Sequence, residues 1–467
     1  MTSTFRREHD LLGDRDVPAD AYWGIHTLRA RENYPITGRS IGSYPHLILA
    51  LAQVKRAAAE ANRQLGDLDD RRADAIVQAC RDIEGGALHD QFVVDVIQGG
   101  AGTSTNMNAN EVIANRALEL LGHPRGAYAE LHPLNHVNMA QSTNDVYPTT
   151  LKLALTFAIE DLLAAMRLLQ QDLADKAAEF ADILKMGRTQ LQDAVPMTLG
   201  QEFRTYAVMI GEDVDRLREA TALIREINLG ATAIGTGINT DIRYSRLVTE
   251  ILATLSGVPL VPADNLIEAT QDTGAFVQLS GVLKRVACKL SKVCNDLRLL
   301  SSGPQAGFGE IFLPERAAGS SIMPGKVNPI IPEVVNQIAF EVIGNDMTVT
   351  MASEAGQLQL NAFEPIIAHS LFKSIEHLAA GCRTLSVNCV RGIAANRPLL
   401  AERVRTSAGL ATALNPHIGY ENATWVAREA LRTGKTVAEL VLDRGLMTES
   451  ALARVLSPES LTAPRTV

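Results

Sequence analysis

The sequence predicts an all-α protein with a central bundle of long helices. In residues 155–173 and 279–300, apolar side chains recur at alternating spacings of four and three, the period of a helix with a buried face. Hydrophobic residues make up 46% of the chain and aromatic residues only 4%, which favours a core of aliphatic side chains in closely packed helices. Segments with the two-residue period of a strand are scarce.

Glycine and proline mark where the predicted helices begin. A glycine-rich turn at residues 99–102 precedes a helix at 107–121, and a second helix begins near Pro148 and includes residues 155–173. Residues 301–329 lack periodicity and are expected to form a mobile, functional loop, after which a helix begins near Pro332. Residues 23–27 and 183–186 are strand candidates too brief to build a sheet.

The positions of glycine and proline also suggest where domains begin and end. We place soft boundaries near residues 140 and 394. They delimit a mostly helical N-terminal domain (1–140), a central helix-bundle domain (141–393) and a small helical C-terminal domain (394–467).

Composition excludes several classes of function. The net charge of -9 leaves no basic surplus to neutralise phosphates, so we expect no nucleic-acid partner. No run of 18 apolar residues and no apolar N-terminal leader occur, so we expect no membrane partner and a cytoplasmic location. The five cysteines lack paired short spacings, which argues against a disulfide framework.

Neither a cofactor nor a metal ion is predicted. Gly235 and Gly237 lack the third glycine and the preceding strand of a dinucleotide-binding motif. His132 and His136 flank a proline that would disturb a helix, and no third ligand is evident.

Residues 319–329, Gly-Ser-Ser-Ile-Met-Pro-Gly-Lys-Val-Asn-Pro, form the most informative segment. Ser320, Ser321, Lys326 and Asn328 place hydroxyls, a cation and an amide between residues that free or stiffen the backbone. N–H groups beside a glycine, together with the lysine, would lower the pKa of a serine hydroxyl enough for it to act as a base. A phosphate-binding P-loop is disfavoured, because five residues instead of four separate the glycines. A polar surface turn remains the simplest alternative for Gly-Ser-Ser alone.

Three more segments combine glycine or proline with hydroxyls and amides. They are residues 99–106, residues 141–145 and residues 187–196. The first two lie at predicted helix starts and fit either helix capping or the binding of an anion such as a carboxylate. Alone, the third is only a polar turn.

Residues 319–329 match the GSSxMPxKxNP signature of the aspartase/fumarase superfamily, and the other three segments resemble regions of that family in the same order. The resemblance extends to residues 11–24 and 228–237 and so covers nearly the whole chain. It implies a three-domain, all-helical subunit and a homotetramer whose active sites are shared between subunits. We expect apolar stripes such as residues 279–300 to supply the subunit interface.

The resemblance also implies roles for individual residues. Ser320 is the expected catalytic base, closed over a small-molecule dicarboxylate by the loop of residues 301–329. The residues expected to bind the substrate's two carboxylates are Thr103, Ser142, Thr143 and Ser321 for the side-chain carboxylate and Thr189, Lys326 and Asn328 for the other. Asn144 is expected to contact the amino group.

Within the family, residues 187–196 and 142–144 are most similar to the ammonia-lyases, which implies reversible deamination of L-aspartate to fumarate and ammonia through an aci-carboxylate intermediate. Many relatives carry histidine where this chain has Gln190, and an amide cannot protonate a leaving hydroxide. The implied alternatives are a class II type fumarate hydratase and a non-catalytic helical scaffold.

Overall fold

The fold is dominated by α-helices, as the sequence predicts. A computed structural model describes residues 5–464. The helices are α1 Ile25–Asn33, α2 Pro45–Leu65, α3 Asp70–Glu84, α4 Thr103–Leu120, α5 Thr143–Glu179, α6 Leu199–Leu223, α7 Tyr244–Ser256, α8 Leu266–Gln271, α9 Gly274–Leu300, α10 Ile330–Glu354, α11 Glu364–Asn388, α12 Arg397–Thr406, α13 Ala411–Ile418, α14 Tyr420–Thr433, α15 Val437–Asp443, α16 Glu449–Val455 and α17 Pro458–Thr462. The helix predicted near Pro332 is confirmed as α10.

Strands occur only as short pairs within residues 5–464. The strands are β1 Phe5–Asp10, β2 Gly13–Pro18, β3 Leu184–Thr189, β4 Gln192–Thr198, β5 Glu226–Ile227, β6 Val261–Pro262, β7 Ile311–Phe312 and β8 Ala394–Ala395. The β5–β6 pair is parallel and the other three are antiparallel. The expectation that residues 183–186 could not build a sheet was wrong, because the β3–β4 hairpin extends the segment and supplies its partner.

The apolar stripes predicted from helical spacing are buried. Leu155 through Leu173 on α5 are 0% exposed at the predicted positions, and those on α9 from Leu279 to Leu300 are at most 5% exposed. The stripe of α9 is thus covered within a single chain, so the expectation that it supplies a subunit interface was wrong. The apolar residues that do remain exposed on one face of α10 are Phe340, Ile343, Met347 and Met351.

Two helices begin earlier than the sequence indicated. The helix expected from residue 107 begins at Thr103, and the one expected near Pro148 begins at Thr143. Pro148 lies inside α5, where its missing N–H leaves the carbonyl oxygen of Asn144 without the usual helical donor. The Asn228 side-chain amide replaces that donor at 3.1 Å, so the helix extends past the proline.

The chain divides into two compact units, and each long helix among α5, α6, α9, α10 and α11 contributes residues to both. The first unit comprises the residues up to Leu163, Asp215–Arg285 and Phe340–Leu378. The second comprises Ala164–Val214, Val286–Ala339 and the residues from Ala379 onward. The boundaries near residues 140 and 394 stay a prediction.

In the first unit, α2 packs against α3 and α7, and two buried carboxylates cap α1. Glu111 accepts the N–H groups of Gly24, His26 and Thr27, and Glu8 accepts that of Ile25. Four N–H groups that the helix itself cannot satisfy are therefore paired. Burial raises the pKa of Glu111 to about 7.

In the second unit, the short helices α12 to α16 enclose an apolar cluster. Its members include Met186 of β3, Val404, Leu414, Val426 and Val441. Across residues 5–464, no helix is both long enough and apolar enough to cross a membrane.

A substitution at Gly200 tests how tightly α5 and α6 pack in the second unit. A Cβ at this position would lie 2.4 Å from the carbonyl oxygen of Ala177, so we expect Gly200→Ala to destabilise the protein by about 1 to 3 kcal/mol. The control is Gly281→Ala on α9, where a Cβ meets no atom within 4 Å and should raise stability by about 0.5 to 1 kcal/mol. Urea denaturation followed by circular dichroism measures both. Equal midpoints for the two variants would contradict the close packing.

Candidate functional site

Two hydroxyl groups lie at the N-terminus of α5. The Ser142 Oγ accepts the Asn144 N–H at 3.2 Å, and the Thr143 Oγ1 accepts from the Asn106 side-chain amide at 3.1 Å. Because each oxygen already accepts a bond, each hydroxyl proton remains available to another acceptor. Two such donors beside the positive end of a 37-residue helix suit a carboxylate.

Asn144 presents its amide in a fixed orientation. Its Nδ2 donates to the carbonyl oxygen of Ala233 at 2.7 Å, and a carbonyl can only accept, so the opposite atom of the amide is Oδ1. No described residue donates to this Oδ1. An oxygen acceptor next to two hydroxyl donors matches a molecule that carries both an ammonium group and a carboxylate.

Beneath this turn lies the buried carboxylate of Asp145, which is 0% exposed. One oxygen accepts the N–H of Ser142 at 3.0 Å, and the other accepts those of Gly230 at 3.0 Å and Thr232 at 2.9 Å. Burial raises the pKa of Asp145 to about 6, and the three N–H bonds oppose that rise. The carboxylate thereby joins residues 141–145 to residues 228–237.

A buried lysine that was not predicted from the sequence supports the same turn. Lys55 Nζ donates to Asn138 Oδ1 at 2.9 Å and to Gln141 Oε1 at 2.8 Å, and Asn138 Oδ1 also accepts from Asn106. Burial lowers the pKa of Lys55 to about 7. A signal was present, because Lys55 follows the buried Ile48 by seven residues and so falls on the apolar face of α2.

Thr103 is the first residue of α4, and its hydroxyl is already engaged. Its Oγ1 donates to the carbonyl oxygen of Gly100 at 2.7 Å. Gly102 before it has a φ of 89°, and a Cβ there would lie 2.4 Å from the Tyr147 ring. Only glycine fits this approach. The Thr103 N–H donates to the carbonyl oxygen of Gly100 at 2.9 Å and the Thr105 N–H to Gln98 Oε1 at 3.0 Å, so internal bonds already engage most of this first turn.

Thr189 and Gln190 lie at the tip of the β3–β4 hairpin, where both are exposed. Gln190 and Leu191 form its two-residue turn with φ values of 53° and 62°. Glycine or asparagine normally occupies such a turn, so two ordinary residues in this conformation carry backbone strain.

The base of that hairpin is held by an ion cluster that was likewise not predicted from the sequence. The buried Glu310 carboxylate accepts from Arg188 at 2.5 Å, lies 3.0 Å from Lys185 Nζ and 3.1 Å from Arg403 Nη1. Burial raises the pKa of Glu310, but the bonds from Arg188 and Lys185 outweigh burial and hold it below its usual value. No sequence signal singled out Glu310, which belongs to the predicted loop.

Two backbone N–H groups donate to the hydroxyl oxygen of Ser320. Its Oγ accepts the N–H of Met323 at 2.9 Å and that of Ile322 at 3.2 Å, and donors to oxygen favour its deprotonated form. The Asn328 amide donates to the Gly319 carbonyl oxygen at 2.6 Å, which closes the turn. A Cβ on Gly319 would lie 2.2 Å from the carbonyl oxygen of Lys326, so glycine is required here.

Ser321 and Lys326 are exposed on the same loop. Lys326 and Asn328 line a cleft of about 660 Å³, together with Arg298, Ser301 and Pro304. No described side chain pairs with the Lys326 ammonium, so this cation is free to contact an anionic ligand.

The predicted site residues form two groups, one in each unit. Thr103, Ser142, Thr143 and Asn144 belong to the first unit. The second unit holds the other six, which are Thr189, Gln190, Ser320, Ser321, Lys326 and Asn328. Within the first group, Asn106 bridges Asn138 to Thr143; within the second, Gly319, Ser320, Lys326 and Asn328 share one hydrogen-bonded loop.

Comparison with known proteins identifies the family. A family model described as Lyase matches residues 13–344, and one described as Fumarase C C-terminus matches residues 410–463. The aspartate ammonia-lyase of Pseudomonas fluorescens is 60% identical over 466 residues, which cover 100% of this chain and 98% of that protein. The aspartate ammonia-lyase of Escherichia coli K12 is 53% identical over 465 residues, with coverages of 99% and 97%.

Solved structures agree with this similarity. Fumarate lyase:delta crystallin from Brucella melitensis, bound to cobalt, has a TM-score of 0.97 and 54% identity, covering 99% of this chain and 100% of that one. Class II fumarase from Schistosoma mansoni has a TM-score of 0.93 and 34% identity over the same shares of the two chains. The chain therefore belongs to the aspartase/fumarase family of lyases.

Proposed function

We infer that the chain is a carbon–nitrogen lyase that reversibly converts L-aspartate to fumarate and ammonia. The observation that carries this inference is the near-complete similarity to aspartate ammonia-lyases, at 53 to 60% identity over almost the full length of both chains. The class II fumarase is more distant at 34%, so hydration is the less supported activity. A purely structural role is disfavoured by the exposed, unpaired Lys326 and the strained tip at Gln190.

Ser320 is the proposed catalytic base. It takes the proton from the carbon next to the side-chain carboxylate, and the electron pair of that C–H bond moves into the carboxylate to give a doubly negative aci-carboxylate. The pair then returns as the C–N bond breaks, and the nitrogen leaves as neutral ammonia. The two backbone N–H bonds to Ser320 Oγ support its deprotonated form.

The remaining site residues bind the two carboxylates. Ser142 and Thr143 donate their free hydroxyl protons to the side-chain carboxylate, with Ser321 and the N-terminal turn of α4 at Thr103. Thr189, Lys326 and Asn328 bind the other carboxylate. Donors aimed at a developing oxyanion contribute about 3 kcal/mol each, which is how a dianionic intermediate becomes accessible.

The choice of amine over hydroxyl rests on Asn144 and Gln190. The free Oδ1 of Asn144 accepts from the substrate ammonium, which donates three bonds where a hydroxyl donates one. Gln190 cannot protonate a leaving group. An amine that enters as ammonium departs as neutral ammonia, so it needs no added proton.

The assembly proposed is a homotetramer with active sites shared between subunits. Both groups of residues must act on one substrate, and sharing lets different subunits supply them. The exposed apolar face of α10, Phe340, Ile343, Met347 and Met351, supplies the interface in place of the buried stripe of α9. The five cysteines are unpaired and four are buried, which supports the proposed cytoplasmic location.

The activity is tested directly by ultraviolet absorbance of fumarate. We expect purified protein to produce fumarate from L-aspartate and to consume it when ammonium is added, with little turnover of malate. A parallel panel with argininosuccinate and adenylosuccinate covers related carbon–nitrogen bonds. Brisk malate dehydration without aspartate turnover would assign the chain to fumarate hydratases instead.

Replacing the proposed base separates chemistry from binding. We expect Ser320→Ala to lower kcat by about 100- to 10,000-fold, while the inhibition constant of succinate stays near the wild-type value, because the hydroxyl acts on the proton. Ser321→Ala is the matched comparison and should weaken succinate binding as well. If Ser320→Ala keeps a tenth or more of wild-type turnover, the base lies elsewhere.

Shared sites are tested by mixing inactive variants. Thr143→Ala and Lys326→Ala proteins, unfolded and refolded together, should regain measurable activity, because some sites then receive both intact groups. Each variant refolded alone and the refolded wild-type protein are the controls. If the mixture stays inactive while the wild-type protein recovers, the sites are not shared.

A further inference from the structure

The carboxylate of Asp145 does more than cap α5. A capping residue at this position pairs with the N–H at the start of its own helix, and one oxygen of Asp145 does so with Ser142. Its other oxygen accepts two N–H bonds from a distant segment, those of Gly230 and Thr232. Capping α5 accounts for the first oxygen only.

The segment that this second oxygen holds has an unfavourable backbone. Thr232 has a φ of 57°, a left-handed conformation that a β-branched residue adopts only when its surroundings impose it. Gly230, with a φ of 93°, is held against Ser245, whose Cβ would lie 2.6 Å from a Cβ at position 230. Asp145 supplies the hydrogen bonds that keep residues 230–232 in this shape.

The next residue, Ala233, links the backbone of residues 230–232 to Asn144. Its carbonyl oxygen accepts from Asn144 Nδ2 at 2.7 Å and thereby selects which end of the amide is free. A displaced carbonyl would let the amide rotate and present NH₂, which repels an ammonium. The backbone of Asn144 is held separately, by Asn228.

We propose that Asp145 is a positioning residue for amine recognition, which acts through the 230–233 backbone and the Ala233 carbonyl on the orientation of Asn144. This inference rests on the proposed deamination and on Asn144 as the contact of the amino group. The proposal differs from a purely structural role for Asp145. Loss of its second oxygen should weaken binding of the substrate's amino group more than binding of its two carboxylates.

The test uses the reverse reaction, in which ammonium and fumarate are separate substrates. We expect Asp145→Ala to raise the KM for ammonium about 10- to 100-fold, whereas the KM for fumarate and the inhibition constant of succinate change by less than about threefold. Asp175→Ala, which removes an exposed acid of α5 that accepts from Gln171, is the control and should change none of these constants.

A second substitution separates the two oxygens of Asp145. Glycine takes a left-handed φ without strain, so Thr232→Gly should restore much of the ammonium affinity in the Asp145→Ala background and change little by itself. It cannot replace the cap at Ser142. Rescue therefore supports action through residues 230–233, and its absence overturns the proposal.

Ala233→Gly keeps the proposal testable if Asp145→Ala does not fold. Ala233 is exposed, so the variant should fold, and its freer backbone should raise the KM for ammonium a few-fold with the KM for fumarate unchanged. Equal changes in both constants would overturn the inference. A wild-type protein that forms no aspartate from fumarate and ammonium would instead overturn the proposed function.

Discussion

Pro148 imposes the constraint on which the first group of site residues depends. Pro148, the sixth residue of α5, removes the N–H that the Asn144 carbonyl oxygen would accept, beside the proposed site residues Ser142, Thr143 and Asn144. Contacts from residues 228–232 compensate: the Asn228 side-chain amide donates to the Asn144 carbonyl oxygen, and the backbone N–H groups of Gly230 and Thr232 donate to the Asp145 carboxylate. The hydroxyls and the amide are therefore fixed by tertiary contacts, and the helix alone would not hold them.

Both groups of proposed site residues lie next to buried charged side chains. Lys55 and Asp145 lie beneath the hydroxyl turn, and Glu310 with Arg188 and Lys185 lies beneath the hairpin. A buried ion is costly unless its partners have the right geometry, so each such group fixes the backbone around it. In a protein with a net charge of -9, the exposed and unpaired Lys326 is the local cation proposed to contact the anionic substrate.

The sequence predicted what depends on local pattern and missed what depends on distant contacts. The stripes of α5 and α9 were predictable because the helical period is written in consecutive residues. The start of α5 was not predictable from local pattern, because the helix continues through Pro148 only with help from Asn228, eighty residues away along the chain. The β1–β2 hairpin went unrecognised because Arg6, Arg7, Glu8 and His9 do not alternate in polarity.

The same division holds for the site. Ser320, Lys326 and Asn328 were identifiable because they crowd into eleven residues that match a family signature. Glu310 was not identifiable from the sequence. Its three cationic partners belong to β3 and α12, and they come close to it only in the folded chain. Lys55 carried a signal in its helical position, but a single lysine on an apolar face is more often explained by its stem lying along the surface.

The loop of residues 301–329 was expected to be mobile, yet its two parts are built differently. Its first part is anchored, since Glu310 donates its N–H to the carbonyl oxygen of Leu300, and β7 pairs with β8. Its second part, which carries Ser320, is mostly exposed to solvent. For Ser320 to act as the proposed base, water must be excluded from around it, because hydration favours the neutral hydroxyl even with two N–H donors in place. Because the first part is held by Glu310 and β7, any closure over the substrate must come from residues 313–329.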